Sequence, residues 1–453
     1  MLKGSNPCCK SELDLFSTYP TNTSILESKV SEINTTTILS NSSPTNLLIF
    51  EVKGTPDYLN MAETKLYMNL ALRKEDNTKL DKNKKLGVIN NFGHSLIKRA
   101  DLEILNGIQT TELETNHHYA YKAYLLDTLN YGLDSKETWM ESAIYEKDIS
   151  GEMENFQTTE MITTQKSENN LNTIEIAQKV NKGFLERRKF FDNDWETEIV
   201  IPLHFDFFKT GKFLKNNFDL NIKLELNDGK FCLKGEDSRN VNIIILEAKL
   251  IVTHCRINTD VQLAHIKALD SGNIKYPIKP VRIDAHLIHQ GLFSYELVMN
   301  NSIILPDLLL IGLVEHKAFT GDISKNPFNF QHFDIKTLQV HVNSNCHIIK
   351  TNFKNNKYLK AYDKLMTLLD MNSSKGNNIQ RRDFKDGYTI FAIDLRPVKC
   401  IEDVNPINTG KIQILFEFES QTPSQIQAII VSQYQNQFEI DKKHSIEANF
   451  KLI

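Results

Sequence analysis

His286 and His289, in "DAHLIHQG", are the pair whose types best suit a shared metal ion. Imidazole nitrogens bind divalent transition metals, but joint ligation needs both rings on one side. An i, i+3 spacing puts them on opposite faces of a strand, so ordinary polar positions are expected. His117 and His118 open a helical pattern, where a surface or capping role is expected rather than ligation. "FFDNDWETE" (190–198) gathers Asp192, Asp194 and Glu196 densely enough for a cation or a general acid–base pair. Its place before a strand pattern favours a solvated loop. His204 and Asp206 share one strand face and could hydrogen-bond, but no serine or cysteine nucleophile sits beside them in sequence. Phosphate-loop, nucleophile-elbow, zinc-protease and dinucleotide signatures are absent. The expectation is no catalytic residue, no cofactor and no metal ligand.

Composition narrows the class. The six cysteines, Cys8, Cys9, Cys232, Cys255, Cys346 and Cys400, contain no C-x-x-C pair, which points to reduced thiols in an intracellular setting. A net charge of −4 over 453 residues gives no reason to expect specific nucleic-acid binding. The basic runs "DKNKKLG" (81–87) and "ERRK" (186–189) read as solvated charge. "MLKGSNPCCK" lacks the apolar region of a secretory signal. The best apolar run, "LLLIGLV" (308–314), suits a buried strand and is too short to span a membrane.

The elements that must position these residues are mostly strands. Branched and aromatic residues alternate with polar ones in "NLLIFEV" (46–52), "TKLYMNLAL" (64–72), "FDLNIKLEL" (218–226), "KIQILFEFES" (411–420) and several similar runs. That pattern, broken by Asn, Asp and Gly loops, predicts antiparallel sandwiches. At this length two domains are expected. The division falls into an extended polar arm over 1–45, a first sandwich over 46–257, a linker over 258–274, and a second sandwich with a tail over 275–453. Two helical patterns, 117–132 and 356–371, interrupt the strands and echo each other. Ile97-Lys98 precedes Lys122-Ala123-Tyr124 by the same 25 residues that separate Ile335-Lys336 from Lys360-Ala361-Tyr362. The offset of about 238 residues implies a duplicated unit, with two cores side by side. "SKNPFNFQHFDI" (324–335) is a stiff loop whose Phe328, Phe330 and Phe333 could anchor it to its own second sandwich. A subunit contact or a ligand platform are the alternatives.

Longer stretches carry a resemblance. "KSELDLFSTYPTNTSI" (10–25), "NHHYAYKAYLLDTLNYG" (116–132), "GFLERRKFF" (183–191), "VQLAHIKALDSGNIKYPI" (261–278), "KNPFNFQHFDI" (325–335) and "EFESQTPSQIQAIIVSQYQNQFEID" (417–441) occur in that order. Together they resemble the major capsid protein of Polinton (Maverick) elements and adintoviruses, over nearly the whole chain. The resemblance implies an all-β double jelly roll, two antiparallel eight-stranded sandwiches in one chain with short interstrand helices. It also implies hexon-like trimeric capsomers that tile an icosahedral virion capsid assembled inside the host cell. The implied partners are further copies of the chain and penton or minor capsid proteins. Two other functions fit a β-sandwich. One is a carbohydrate-binding protein using Trp139 or Trp195, the only tryptophans; the other is a glycosidase using Asp192, Asp194 and Glu196.

Overall fold

The computed structural model describes residue 15 and residues 21–106, 109–158, 162–165, 174–177, 180–299, 304–369, 376–397 and 406–448. Cys8, Cys9 and Cys400 lie outside them. Of the other cysteines, Cys232 and Cys255 are buried free thiols and Cys346 is exposed.

Alternation decides the strands. In Asp219–Leu226, Leu220, Ile222 and Leu224 turn inward and are buried, while the residues between them are half-exposed. Ile412–Phe418 repeats this with Ile412, Ile414, Phe416 and Phe418. Such period-two burial is what a strand with one face on a core requires.

The first sandwich comprises β1 (Ile25–Asn34), β2 (Leu47–Val52), β3 (Tyr58–Lys74), β4 (Ile97–Asn106), β5 (Gln109–Asn116), β6 (Glu196–Pro202), β7 (Asp219–Leu226) and β8 (Val241–Ile257). These form two antiparallel sheets in the orders β1-β8-β3-β6 and β2-β7-β4-β5. The second comprises β9 (Val281–Ile288), β10 (Ser294–Met299), β11 (Leu308–Glu315), β12 (Ile335–Val342), β13 (Asn345–Lys350), β14 (Ile390–Asp394), β15 (Ile412–Phe418) and β16 (Ile426–Gln433). Its sheets run β9-β16-β11-β14 and β10-β15-β12-β13. Adding eight to each strand number of the first sandwich gives the second. Each is a jelly roll, and the fold is a double jelly roll.

Helix α1 (Tyr119–Asn130) joins β5 to β6, and α3 (Leu359–Leu368) joins β13 to β14. The two helices thus occupy the same connection in each roll. Between the rolls lies α2 (Thr259–Leu269), capped by Asn258, whose side-chain oxygen accepts from the Asp260 amide at 3.0 Å.

Two expectations differ from the structure. Residues 25–34, read as part of an arm, form β1, paired along its length with β8. Polar composition misled there because β1 is an edge strand. Its outer face is wet and charged, with Glu27 and Glu32 bridging Arg256 and Lys249. The two cores are also not separate. Buried apolar residues form one contiguous cluster through both rolls. In the second roll β11 and β16 are buried almost throughout, as strands covered on both faces must be.

Candidate functional site

The cover over the second roll comes from the first. α1 is buried at ten of its twelve residues, and its Tyr121 and Tyr124 face the 324–335 loop. Tyr124 and Phe328 stack with ring centroids 4.0 Å apart and planes within 3°. Tyr121 meets Phe328 edge-on at 5.6 Å and packs on Phe319 at 5.7 Å. Phe330 lies on the β11 backbone at Gly312, where a Cβ would come within 2.5 Å of its ring, so only glycine fits. The loop therefore serves both rolls of one chain. Phe330 anchors it to its own sandwich, as expected, while Phe328 reaches across to the other. Phe333 is only half-buried.

A buried polar layer surrounds this aromatic seam. Arg187, inside the run expected to be solvated, is fully buried and donates to the carbonyls of Val88 and Glu146. Its remaining nitrogen meets Asp148 Oδ1 at 2.6 Å. Asp148 Oδ2 then accepts from Asn326 of the second roll at 3.0 Å, and its carbonyl accepts from the Tyr388 hydroxyl at 2.8 Å. Lys147 pairs with Asp383 across the same seam at 2.6 Å. Lys122, 1% exposed, spends all three donors on Asp206 (2.6 Å), Glu114 (2.9 Å) and Asn116 (2.9 Å). Burial works against its charge, but the two carboxylates outweigh it and raise its pKa. Asp206 Oδ2 also accepts the Val281 amide at 2.8 Å, tying the first roll to the start of β9.

Lys136 has no such carboxylate. Its ammonium donates to the carbonyls of Thr128 (2.6 Å) and Asn377 (2.7 Å), again one from each roll. Burial, with Lys147 adding repulsion, pulls its pKa down to about 7 from 10.5. Between those values the unfolded chain holds a proton that the folded chain has released, so stability rises with pH across that window. Lys136 alone supplies a slope of up to about 1.4 kcal/mol per pH unit. Urea unfolding at pH 7, 8 and 9 checks this. The wild type should gain stability over that range relative to Lys136→Met, and parallel curves would refute the assignment.

The candidates read from sequence mostly disperse. His286 is half-buried on β9 while His289 is exposed beyond its end, and they form no joint site. His117 is exposed, and His118 packs its ring on Phe319 at 5.6 Å. His204 and Asp206 do not pair, because the backbone leaves β6 at Pro202 and turns at Asp206–Lys209. His204 turns to Asp127 and Asp206 to Lys122. Asp194 is held below the usual carboxylate range by its contact with Lys79 at 2.7 Å, and Glu196 pairs with Arg73. Trp195 is 4% exposed beneath Arg188, so it offers no sugar platform, and Trp139 meets Tyr131 edge-on.

One cluster escaped the sequence reading. His94, Asp127 and His204 converge in the first roll, all buried, with ligand-type atoms within 4.8 Å of one another. His94 sits in "NFGHSLIK" (91–98), which matches "NFQHFDIK" (329–336) at five of eight positions. That longer repeat, rather than Ile-Lys alone, was the available signal. It shows the 324–335 loop to be the second roll's copy of the segment that carries His94. In the copy, His332 stacks on Phe353 at 4.1 Å instead.

A cleft of about 1250 Å³ opens between β5 and β9, lined by residues of both signs including Arg99, Glu114, Arg282 and Asp284. No helix among the described residues is long and apolar enough to cross a membrane.

No family model matches the chain. The uncharacterized protein F54H12.2 of Caenorhabditis elegans is 23% identical over 369 residues, covering 78% of this chain and 79% of that protein. Among solved structures, a chain of the Sputnik virophage superposes with a TM-score of 0.60 at 11% identity, over 99% of this chain and 94% of that one. The Faustovirus major capsid protein gives 0.57 at 7% identity, over 93% and 92%. VP54 of PBCV-1 gives 0.56 at 9% identity, over 96% and 99%.

These likenesses run over both rolls, so the double jelly roll is shared as a whole. At such low identities they speak for the fold. Within that fold, the residues of greatest consequence are those that lock one roll to the other.

Proposed function

We propose that this chain is a viral major capsid protein of the Polinton (Maverick)/adintovirus kind, carried by a virus or a virus-like integrated element. The observation that carries the reading is the repetition of one strand order in two rolls fused by a buried seam. Full-length likeness to the Faustovirus major capsid protein supports it. A fused pair of similar rolls lets a threefold object present six similar flanks, which is the shape hexagonal tiling needs. Three copies would close into a hexon-like capsomer, and capsomers would tile an icosahedral virion shell assembled inside the host cell. Neighbouring capsomers and penton or minor capsid proteins are the partners, and the role is structural rather than enzymatic. The chain divides into a first roll ending at Ile257, a connecting segment over 258–274 and a second roll from 275 onward.

The seam explains why the pair is one body. Hexagonal packing fixes the angle between adjacent flanks, and an inter-roll layer of stacked rings and buried ion pairs holds that angle. Light scattering on the purified chain tests the reading. The expected mass is about 156 kDa, three times the chain's 52.1 kDa. A persistent monomer at tens of micromolar, or a twofold dimer, would count against it.

A further inference from the structure

His94, Asp127 and His204 come from three separate places: a short helix ahead of β4, the third turn of α1, and the residues just beyond β6. His204 Nε2 lies 3.0 Å from Asp127 Oδ1, and His94 Nε2 lies 3.8 Å from Asp127 Oδ2. The imidazole centroids are 4.7 Å apart. All three side chains are at most 5% exposed. At 3.0 Å Asp127 Oδ1 and His204 Nε2 contact each other as an acid–base pair, but the contact lacks hydrogen-bond alignment and neither atom has another partner among the described residues. Imperfect matching of buried polar atoms is costly, and a shared ligand relieves it.

The surroundings are arranged as they are around metal ligands. His94 Nδ1 lies 3.2 Å from the Tyr119 oxygen, which also accepts the His204 backbone amide at 3.0 Å. With Nδ1 held by Tyr119, Nε2 is the His94 nitrogen that faces Asp127. Asn91 Nδ2 donates to Asp127 Oδ2 at 2.7 Å, fixing the carboxylate and leaving Oδ1 for an ion. Outer contacts of this kind orient ligating imidazoles and carboxylates.

We infer that His94, Asp127 and His204 bind a divalent transition-metal ion of the Zn²⁺ class, which staples α1 and the segment before β4 to the end of β6. Two imidazole nitrogens and one carboxylate oxygen are an accepted donor set for such ions. Three protein donors leave the fourth tetrahedral position to a water molecule, and the burial of all three suits a structural part. The second roll holds no equivalent, since Leu365 stands at the offset position of Asp127.

The test uses the full-length protein. After treatment with EDTA, one portion is reloaded with Zn²⁺ and gel-filtered, and metal content and melting temperature are measured on both. About one zinc per chain should be retained, with a higher melting temperature than the stripped protein. Asp127→Asn and His204→Gln should each retain almost none. If these variants do not fold, Co²⁺ added to the stripped wild type should give the visible absorption of a low-symmetry histidine site. Absence of retained zinc together with unchanged melting would overturn the inference, leaving a buried histidine–aspartate contact. Full zinc retention by folded His204→Gln would overturn it too, by placing the metal elsewhere.

Discussion

Asp148→Ala is expected to destabilise the chain by about 3–5 kcal/mol, the usual cost of stripping one partner from a buried ion pair. Arg187 and Asp148 are both wholly buried, and the guanidinium has no other carboxylate within contact among the described residues. The substitution also removes an acceptor from Asn326 and from Asn181, so both rolls lose a partner. Urea unfolding measures the loss. Arg187→Met with Asp148→Leu should cost far less than the two single changes together, because the pair is then replaced rather than broken. A loss under about 1 kcal/mol for Asp148→Ala would mean that water reaches Arg187 and that the seam is not sealed.

The Phe328→Ala, Phe330→Ala double variant is expected to lose several kcal/mol, since each buried Phe→Ala change costs about 3–5 kcal/mol. Both rings are fully buried, and Phe328 is the stacking partner of Tyr124 in the other roll. The form of the transition carries as much information as its midpoint. With the seam emptied, the rolls should unfold in two steps, where the wild type should unfold in one. A single transition with little loss would show that the polar layer alone couples the rolls.

Much of this architecture was legible in the residues. Period-two alternation in Asp219–Leu226 and Ile412–Phe418 survives as strict in–out burial, because each strand has one wet face. The helices at Tyr119–Asn130 and Leu359–Leu368 fall where periodicity put them, in matching connections. What was not legible depends on contacts between distant segments. "ERRK" looked like solvated charge because nothing local announces that Asp148 waits 39 residues earlier for Arg187. β1 looked like an arm because an edge strand needs little apolar character. His204 and Asp206 looked like neighbours on one face, until the backbone turned after Pro202 and sent them to different partners. The histidine–aspartate cluster joins residues 94, 127 and 204, and no local spacing encodes a meeting at that range.

Cryo-electron microscopy of the purified protein tests the capsid assignment most directly. Class averages viewed down the symmetry axis should show a threefold particle with six similar lobes, two jelly rolls from each of three chains. Concentrated samples should show those particles edge to edge in hexagonal patches. Isolated two-lobed particles at every concentration, or pairs related by a twofold axis, would contradict it.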